Sequence, residues 1–429
     1  MIRRTLISGY LLWGLVILAG GFSSTGFAAD AGSAIAVFDT PGEVESGHDW
    51  PRWRGPSGNG ISRESAWNPQ ALAADPNIVW KTNVGKGYSS VTIAGHRLYT
   101  IGHKNKKDSI FCLDARTGKE LWTYTYPSPA GSYPGPRATP VVDGGSVYTY
   151  SREGLLYCLD AVTGTVTWKK DISKKYGATP PKWRNASSVQ IDVNVLLINA
   201  CSYGVALDKT TGNKLWTSPP GICGYATPVI FTAAGRRCAA IFGAEALYGV
   251  DIETGRVLWS FEWITRFNVN AADPIITDGQ AFVSSGYKRG SALFRIPPAV
   301  DKPEKVWENK VISTHFSSCI LLDGFLYGID GNAGKGSLKC IEMATGRQRW
   351  AQKTGFGSLM AADGKLIVLN DRGDLFIVQA SPSKYQELSQ AKEVLSGTCW
   401  TLPVLCRGLL YCRNDSGSLV CIDMRMKDK

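Results

Sequence analysis

A motif ending in tryptophan returns along this chain at a spacing that few folds can use. LDARTGKELW (Leu113 to Trp122) is followed by LDAVTGTVTW (Leu159 to Trp168), LDKTTGNKLW (Leu207 to Trp216), VDIETGRVLW (Val250 to Trp259) and IEMATGRQRW (Ile341 to Trp350). A weaker copy ends in Trp307, and Trp80 has the same strand-like context without the preceding motif. The seven tryptophans are separated by 42, 46, 48, 43, 48 and 43 residues. A period of about 40–50 residues built from strands is that of a β-propeller blade.

The strands of one unit can be read from Thr139 to Trp168: strand, Asp-Gly turn, strand, Gly-containing turn, strand, Thr-Gly turn, strand. Asp and Gly supply the turn conformations that other residues resist. Third strands centred on Cys112, Cys158, Ala206, Gly249, Phe294, Cys340, Ile377 and Cys421 give eight units. The last unit lacks a terminal Trp strand while the chain offers the orphan strand at Trp80. The expected fold is therefore all-β, an eight-bladed propeller closed by an N-terminal strand, which removes the open edges that invite aggregation. With 47 Gly among 429 residues, glycine is abundant without a triplet period. That excludes collagen and suits a chain of many turns. The repeated Trp is read as packing between blades.

Four segments are expected: a leader over 1–28, a Trp- and Arg-rich extension over 29–77, the propeller over 78–423 and a tail over 424–429. Arg3 and Arg4, the apolar run Leu11 to Phe22 and the small residues ending at Ala28 have the order of a secretory signal peptide, and the run is short for a membrane span. The expected location is periplasmic or otherwise extracytoplasmic, with no transmembrane span in the mature chain. The formal charge of +11 falls to +9 once Arg3 and Arg4 leave with the leader. Eleven Cys in an exported chain raise the question of disulfides. Yet Cys112, Cys158, Cys340 and Cys421 fill one slot of the repeat, as a small buried hydrophobe would. In the extension, Trp50, Trp53 and Trp67 with Arg52 and Arg54 are expected to clamp along the ring by burial and cation–π contact.

The phrase LDAxTGxxxW, complete in Leu113 to Trp122 and Leu159 to Trp168, resembles the tryptophan-docking repeat of quinoprotein alcohol dehydrogenases. DWPRWRGPSGNGIS (Asp49 to Ser62) is similar to the lead-in of exported members of that superfamily of the planctomycete type. The resemblance covers about residues 78–423 and implies an eight-bladed propeller. In the enzymes it also implies pyrroloquinoline quinone (PQQ), a calcium or lanthanide site, a vicinal disulfide and an Asp base. This chain has no adjacent Cys pair, and GKGYSSV (Gly85 to Val91) stands where an acidic residue is typical. No metal ligand or base is carried over, and the cofactor is left unassigned. The reading is an exported non-catalytic PQQ-like propeller that serves as a binding or protein-assembly scaffold. The alternative is a divergent periplasmic quinone-dependent alcohol or sugar dehydrogenase.

The loops leading into the eight inner strands converge at one mouth of a propeller channel. Three residues before each aligned inner strand stand Tyr88, Arg137, Ala186, Tyr225, Ala271, Phe316, Phe356 and Trp400, and one position earlier Asn185, Asn270, His315 and Cys399. Aromatic rings with amide, imidazole and guanidinium groups suit a planar or extended ligand; the same side chains are also able to plug the channel by packing on one another. The candidate ligand-binding set is Tyr88, Arg137, Asn185, Tyr225, Asn270, His315, Phe316, Phe356 and Trp400, with no catalytic or metal residue assigned. Lys104, Lys106, Lys107, Lys174, Lys175, Lys182, Arg184, Lys288 and Arg289 are expected on the same rim. Such a rim suits another exported protein or an anionic small ligand. Nucleic acid is not expected, because no basic helix or RNA-binding signature is present.

Overall fold

Each repeat forms a four-stranded antiparallel sheet whose strands follow chain order from the channel outward. The second blade shows why. Val141–Asp143, Ser146–Tyr150, Leu155–Asp160 and Val166–Asp171 alternate with turns, and the first turn places Gly144 and Gly145 at φ of 54° and 82°. Two consecutive left-handed residues make the tight hairpin that matches strand twist. Eight such sheets are present in the computed structural model, which describes residues 48–73, 75–297 and 301–426. These lie within the compact unit Glu45–Lys429. The expected leader over 1–28, residues 29–47 of the extension and residues 427–429 of the tail lie outside the described residues.

The eighth blade takes Val404–Cys406, Leu409–Arg413 and Ser418–Asp423 from the C-terminal end, and its outer strand, Ile78–Asn83, from the N-terminal side. The ring thus closes by backbone hydrogen bonds between distant parts of the chain. Arg413 adds to this closure. Its buried guanidinium donates to the Ser89 and Ile101 carbonyls at 2.7 and 2.8 Å and to the Thr100 hydroxyl at 2.9 Å, all in or beside the first blade.

The repeated motif is a docking device between neighbouring blades. Asp114 accepts hydrogen bonds from the Thr117 backbone N–H and hydroxyl, both at 2.9 Å, and so shapes the turn. This turn lays Gly118 against the Trp80 ring, where an added Cβ would come within 2.7 Å. The Trp80 indole donates to the Ala115 carbonyl at 3.0 Å. The same indole-to-carbonyl bond joins Trp122 to Ala161, Trp168 to Lys209, Trp216 to Ile252, Trp307 to Met343 and Trp350 to Ser381. Trp259 has no such bond among the described residues, and its ring stacks on Phe261.

A second belt runs along the channel side of the first six blades. Ser90, Thr139, Ser188 and Thr227 each donate a backbone N–H to the side chain at the same slot of the next blade, over 2.8–3.1 Å, ending on the Asp273 carboxylate. Asp273 N–H continues the series to the Ser318 hydroxyl at 2.8 Å. Hydroxyls serve everywhere along this run except at Asp273.

The extension clasps the ring by burial, as expected, but from within, because it crosses the channel. Trp50 forms a two-way backbone bridge with Ile93 of the first blade, Pro51 accepts from Val142 of the second, and Ile61–Ser62 adds a parallel strand inside Gly357–Ala362 of the seventh. Trp50 and Trp67 are buried, while Arg52 and Arg54 are held by carbonyls and a carboxylate, with no cation–π contact of their own among the described residues. The physical reason is the channel itself. Inner strands expose unpaired backbone groups there, and an extended segment satisfies them better than aromatic contact on the outside. One further departure is local: the basic lead-in loop holds a short helix, Ile172–Tyr176, started by the Asp171 side chain accepting from Lys174 N–H and stopped by left-handed Gly177. All eleven cysteines are buried and unpaired, so the motif slot and the other seven alike act as packing sites.

Candidate functional site

At the mouth, the channel opens into a cavity of about 380 Å³ whose floor is the crossing segment. Trp53 reaches the cavity because its indole donates to Asp273 Oδ2 at 2.7 Å. Arg54 lies 3.8 Å from the same carboxylate and donates to the Cys319 carbonyl at 2.6 Å. Burial pushes the Asp273 carboxyl up and the Arg54 guanidinium down, while each pulls the other back toward its charged form. The pair is stable only together, since an isolated charge in that position has no water to replace its partner.

The walls are aromatic. Tyr88 stacks on Trp400 with ring centres 5.5 Å apart, and Trp400 meets Phe316 at 5.1 Å and Tyr133 at 6.2 Å. The chain of rings continues from Phe316 to His315 at 4.7 Å and from His315 to Tyr287 at 4.9 Å. It then passes through Phe267 to Trp183 at 5.7 Å and on to Tyr225 at 6.4 Å. Arg137 lies over the Tyr88 ring at 5.6 Å, and its hydrogen bonds go to the Gly135 and Tyr133 carbonyls. Burial first, and the nearby charge of Arg152 second, push its guanidinium down to about 10.

Six of the nine residues proposed from the sequence, Tyr88, Arg137, Tyr225, His315, Phe316 and Trp400, line this cavity. Asn185, Asn270 and Phe356 do not. Asn185 is buried and donates to the Arg152 carbonyl; Asn270 is buried with its amide donating to Gly243, Ala244 and Trp263 carbonyls; Phe356 is fully buried in the core of the sixth and seventh blades. A buried amide that bonds several carbonyls holds loop backbone together instead of meeting a ligand. Residues that the strand offsets did not point to include Trp53, Tyr133, Asp273 and Tyr287. Asp273 had a signal in the sequence, as the one acid in a slot that hydroxyls fill in six blades and Leu402 in the eighth.

His315 has no hydrogen-bond partner on Nδ1, and burial pushes its imidazole down to about 4. The ring is therefore neutral near pH 7. An unfolded His titrates near 6.5. As pH falls from about 6.5 to about 4, the unfolded chain takes up a proton that the folded chain refuses, and stability is lost over that window. The expected loss is about 3 kcal/mol. Urea titrations across this range should show it for the wild type, and His315→Phe should reduce the slope. An unchanged slope in the variant contradicts the assignment.

The donor set does not fit the metal that the dehydrogenase resemblance implies. Asp273 is the one carboxylate lining the cavity, and it is already taken by Arg54, the Trp53 indole and the Thr227 N–H. No three His, Cys, Asp or Glu gather as metal ligands among the described residues. No helix among those residues is long and apolar enough to cross a membrane.

Comparison with known proteins agrees with the propeller. Outer membrane protein assembly factor BamB of Yersinia pestis is 23% identical over 353 residues, which are 80% of this chain and 77% of that protein. Quinoprotein ethanol dehydrogenase of Pseudomonas putida is 29% identical over 182 residues, but these span only 28% of the enzyme. The crystal structure of BamB from Moraxella catarrhalis superposes with a TM-score of 0.61 at 16% identity, covering 83% of this chain and all of that one. A family model described as outer membrane protein assembly factor BamB matches residues 106–352, more than half of the chain. The motif, the eight docked blades and this match together place the chain in the outer membrane protein assembly factor BamB family.

Proposed function

We propose that this chain is an exported, non-catalytic propeller that works outside the cytoplasm as a scaffold for assembling other proteins. The observation that carries this reading is the chemistry of the mouth. It presents a continuous arc of aromatic rings with cations that have no ion pair among the described residues, and the one carboxylate lining its cavity is spent on holding the channel floor. Aromatic residues and arginine in a concave, rigid surface are what protein interfaces use as anchors. Relatives named for outer-membrane protein assembly support the same reading, and the leader expected over 1–28 supports export.

A second reading has one specific observation in its favour: flat rings beside Arg137 suit a planar aromatic carboxylate such as a quinone. The two separate in one assay. The mature chain incubated with PQQ and calcium should retain no stoichiometric quinone absorbance after desalting, and should give no dye-linked oxidation of alcohols or sugars. Retained quinone with turnover overturns the scaffold reading.

A further inference from the structure

The mouth has a chemical bias that the scaffold reading alone does not use. Three cations around it have no ion-pair partner among the described residues: Arg137, Lys182 and Arg266. Each instead lies over an aromatic ring. Lys182 Nζ is 4.3 Å from the Phe267 ring centre and 5.2 Å from that of Trp183, and the Arg266 guanidinium is 4.8 Å from Phe267. Of the acids nearby, Glu153 is engaged by Arg152 and Arg184, Glu308 by Arg289 and Lys305, and Asp273 by Arg54, while Glu245 accepts from the Asn268 amide at 3.4 Å and Asp415 adds to burial in pushing the Tyr88 hydroxyl up.

Phe267 is 43% exposed and Tyr133 51% exposed, and both stand in left-handed backbone, at φ of 64° and 51°. Large side chains resist that conformation, so holding the two rings there costs free energy. Beyond Trp183 lies a second cavity of about 340 Å³ lined by Arg152, Lys182 and Arg184 together with loop backbone. An apolar, ring-walled pocket thus adjoins a basic one, with Trp183 shared between them.

From this juxtaposition, and building on the scaffold reading, we propose that the mouth docks an acidic peptide segment of a partner protein that carries an aromatic residue. The ring enters the aromatic cavity and stacks on Trp400 and Phe316. The flanking carboxylates meet Arg137, Lys182 and Arg266. Charge complementarity selects an anionic partner, and the pocket walls select a flat side chain within it.

The test is calorimetric titration of the full mature chain with the blocked peptide Asp-Glu-Tyr-Glu-Asp. Its controls are the peptide with Ala in place of Tyr, the peptide Lys-Lys-Tyr-Lys-Lys and a neutral maltohexaose. The acidic Tyr peptide should bind, with affinity falling as salt rises. The Ala peptide should bind about tenfold more weakly, and the basic peptide and the glycan not at all. The exposed pair Lys182→Glu and Arg266→Glu together should weaken binding at least about tenfold without shifting the melting temperature. Arg137→Gln gives an independent reading from the cavity wall. Equal binding of acidic and basic peptides, no loss in the double variant, preference for the glycan or no peptide binding overturns the proposal. Photo-cross-linking from Tyr133 in cells separates the two claims. A protein adduct there with no peptide binding sinks the peptide chemistry but keeps the scaffold, and no adduct from any mouth position sinks the scaffold reading too.

Discussion

Trp80→Ala lowers the unfolding free energy by about 3–5 kcal/mol, the range for deleting a large buried aromatic. Trp80 sits on the strand that closes the ring, Ile78–Asn83, and docks on the first blade by ring contact with Gly118 and by its bond to the Ala115 carbonyl. Its removal opens a cavity at the only seam where the two ends of the propeller meet. Tyr411, 5.9 Å away and bonded to the same carbonyl, loses its neighbour as well. Denaturant unfolding of the mature chain measures this directly. A loss below about 1 kcal/mol would mean that the seam is not where the ring is held.

Arg54→Met comes next in size, with an expected loss of about 3–5 kcal/mol, because it leaves the Asp273 carboxylate buried without its cation. The methionine keeps the apolar stem, so packing contributes little to the difference. Adding Asp273→Asn removes the stranded charge and should recover only part of the loss, since Thr227 N–H and the Trp53 indole donate to different carboxylate oxygens and the amide keeps an acceptor for just one of them. A double-mutant cycle on these two positions yields the coupling energy. Coupling near zero would show that the channel floor is held by backbone pairing at Ile93 and Gly357–Ala362 alone.

The sequence carried the propeller because the docking motif must repeat wherever blades must pack. The closing strand was readable for the same reason, since Trp80 had a tryptophan's place without a motif of its own. The path of the extension was not readable. Trp53 and Arg54 meet Asp273 across about 220 residues, and no periodicity connects them. Only the acid among hydroxyls at position 273 hinted that something cationic lay opposite. The mouth was readable in part, because counting back from an inner strand finds the side chains that point across the channel when lead-in loops have similar shapes. Where a loop folds back, as at Asn270 beneath the Trp263 carbonyl, the same count lands on a buried amide. Tyr133, Tyr287 and Phe267 escaped the count because they lie on loop tips, in left-handed backbone that no strand pattern predicts.

On the scaffold reading, this ring presents its aromatic mouth to a protein partner. The most direct measurement places a photo-reactive phenylalanine at Tyr133, 51% exposed at the mouth, and in a second strain at Val193, 78% exposed in a hairpin turn on the opposite face. Illumination of cells making each variant should give one discrete protein adduct from Tyr133, competed by excess acidic Tyr peptide, and none from Val193. Adducts from Val193 with none from Tyr133 would contradict the account.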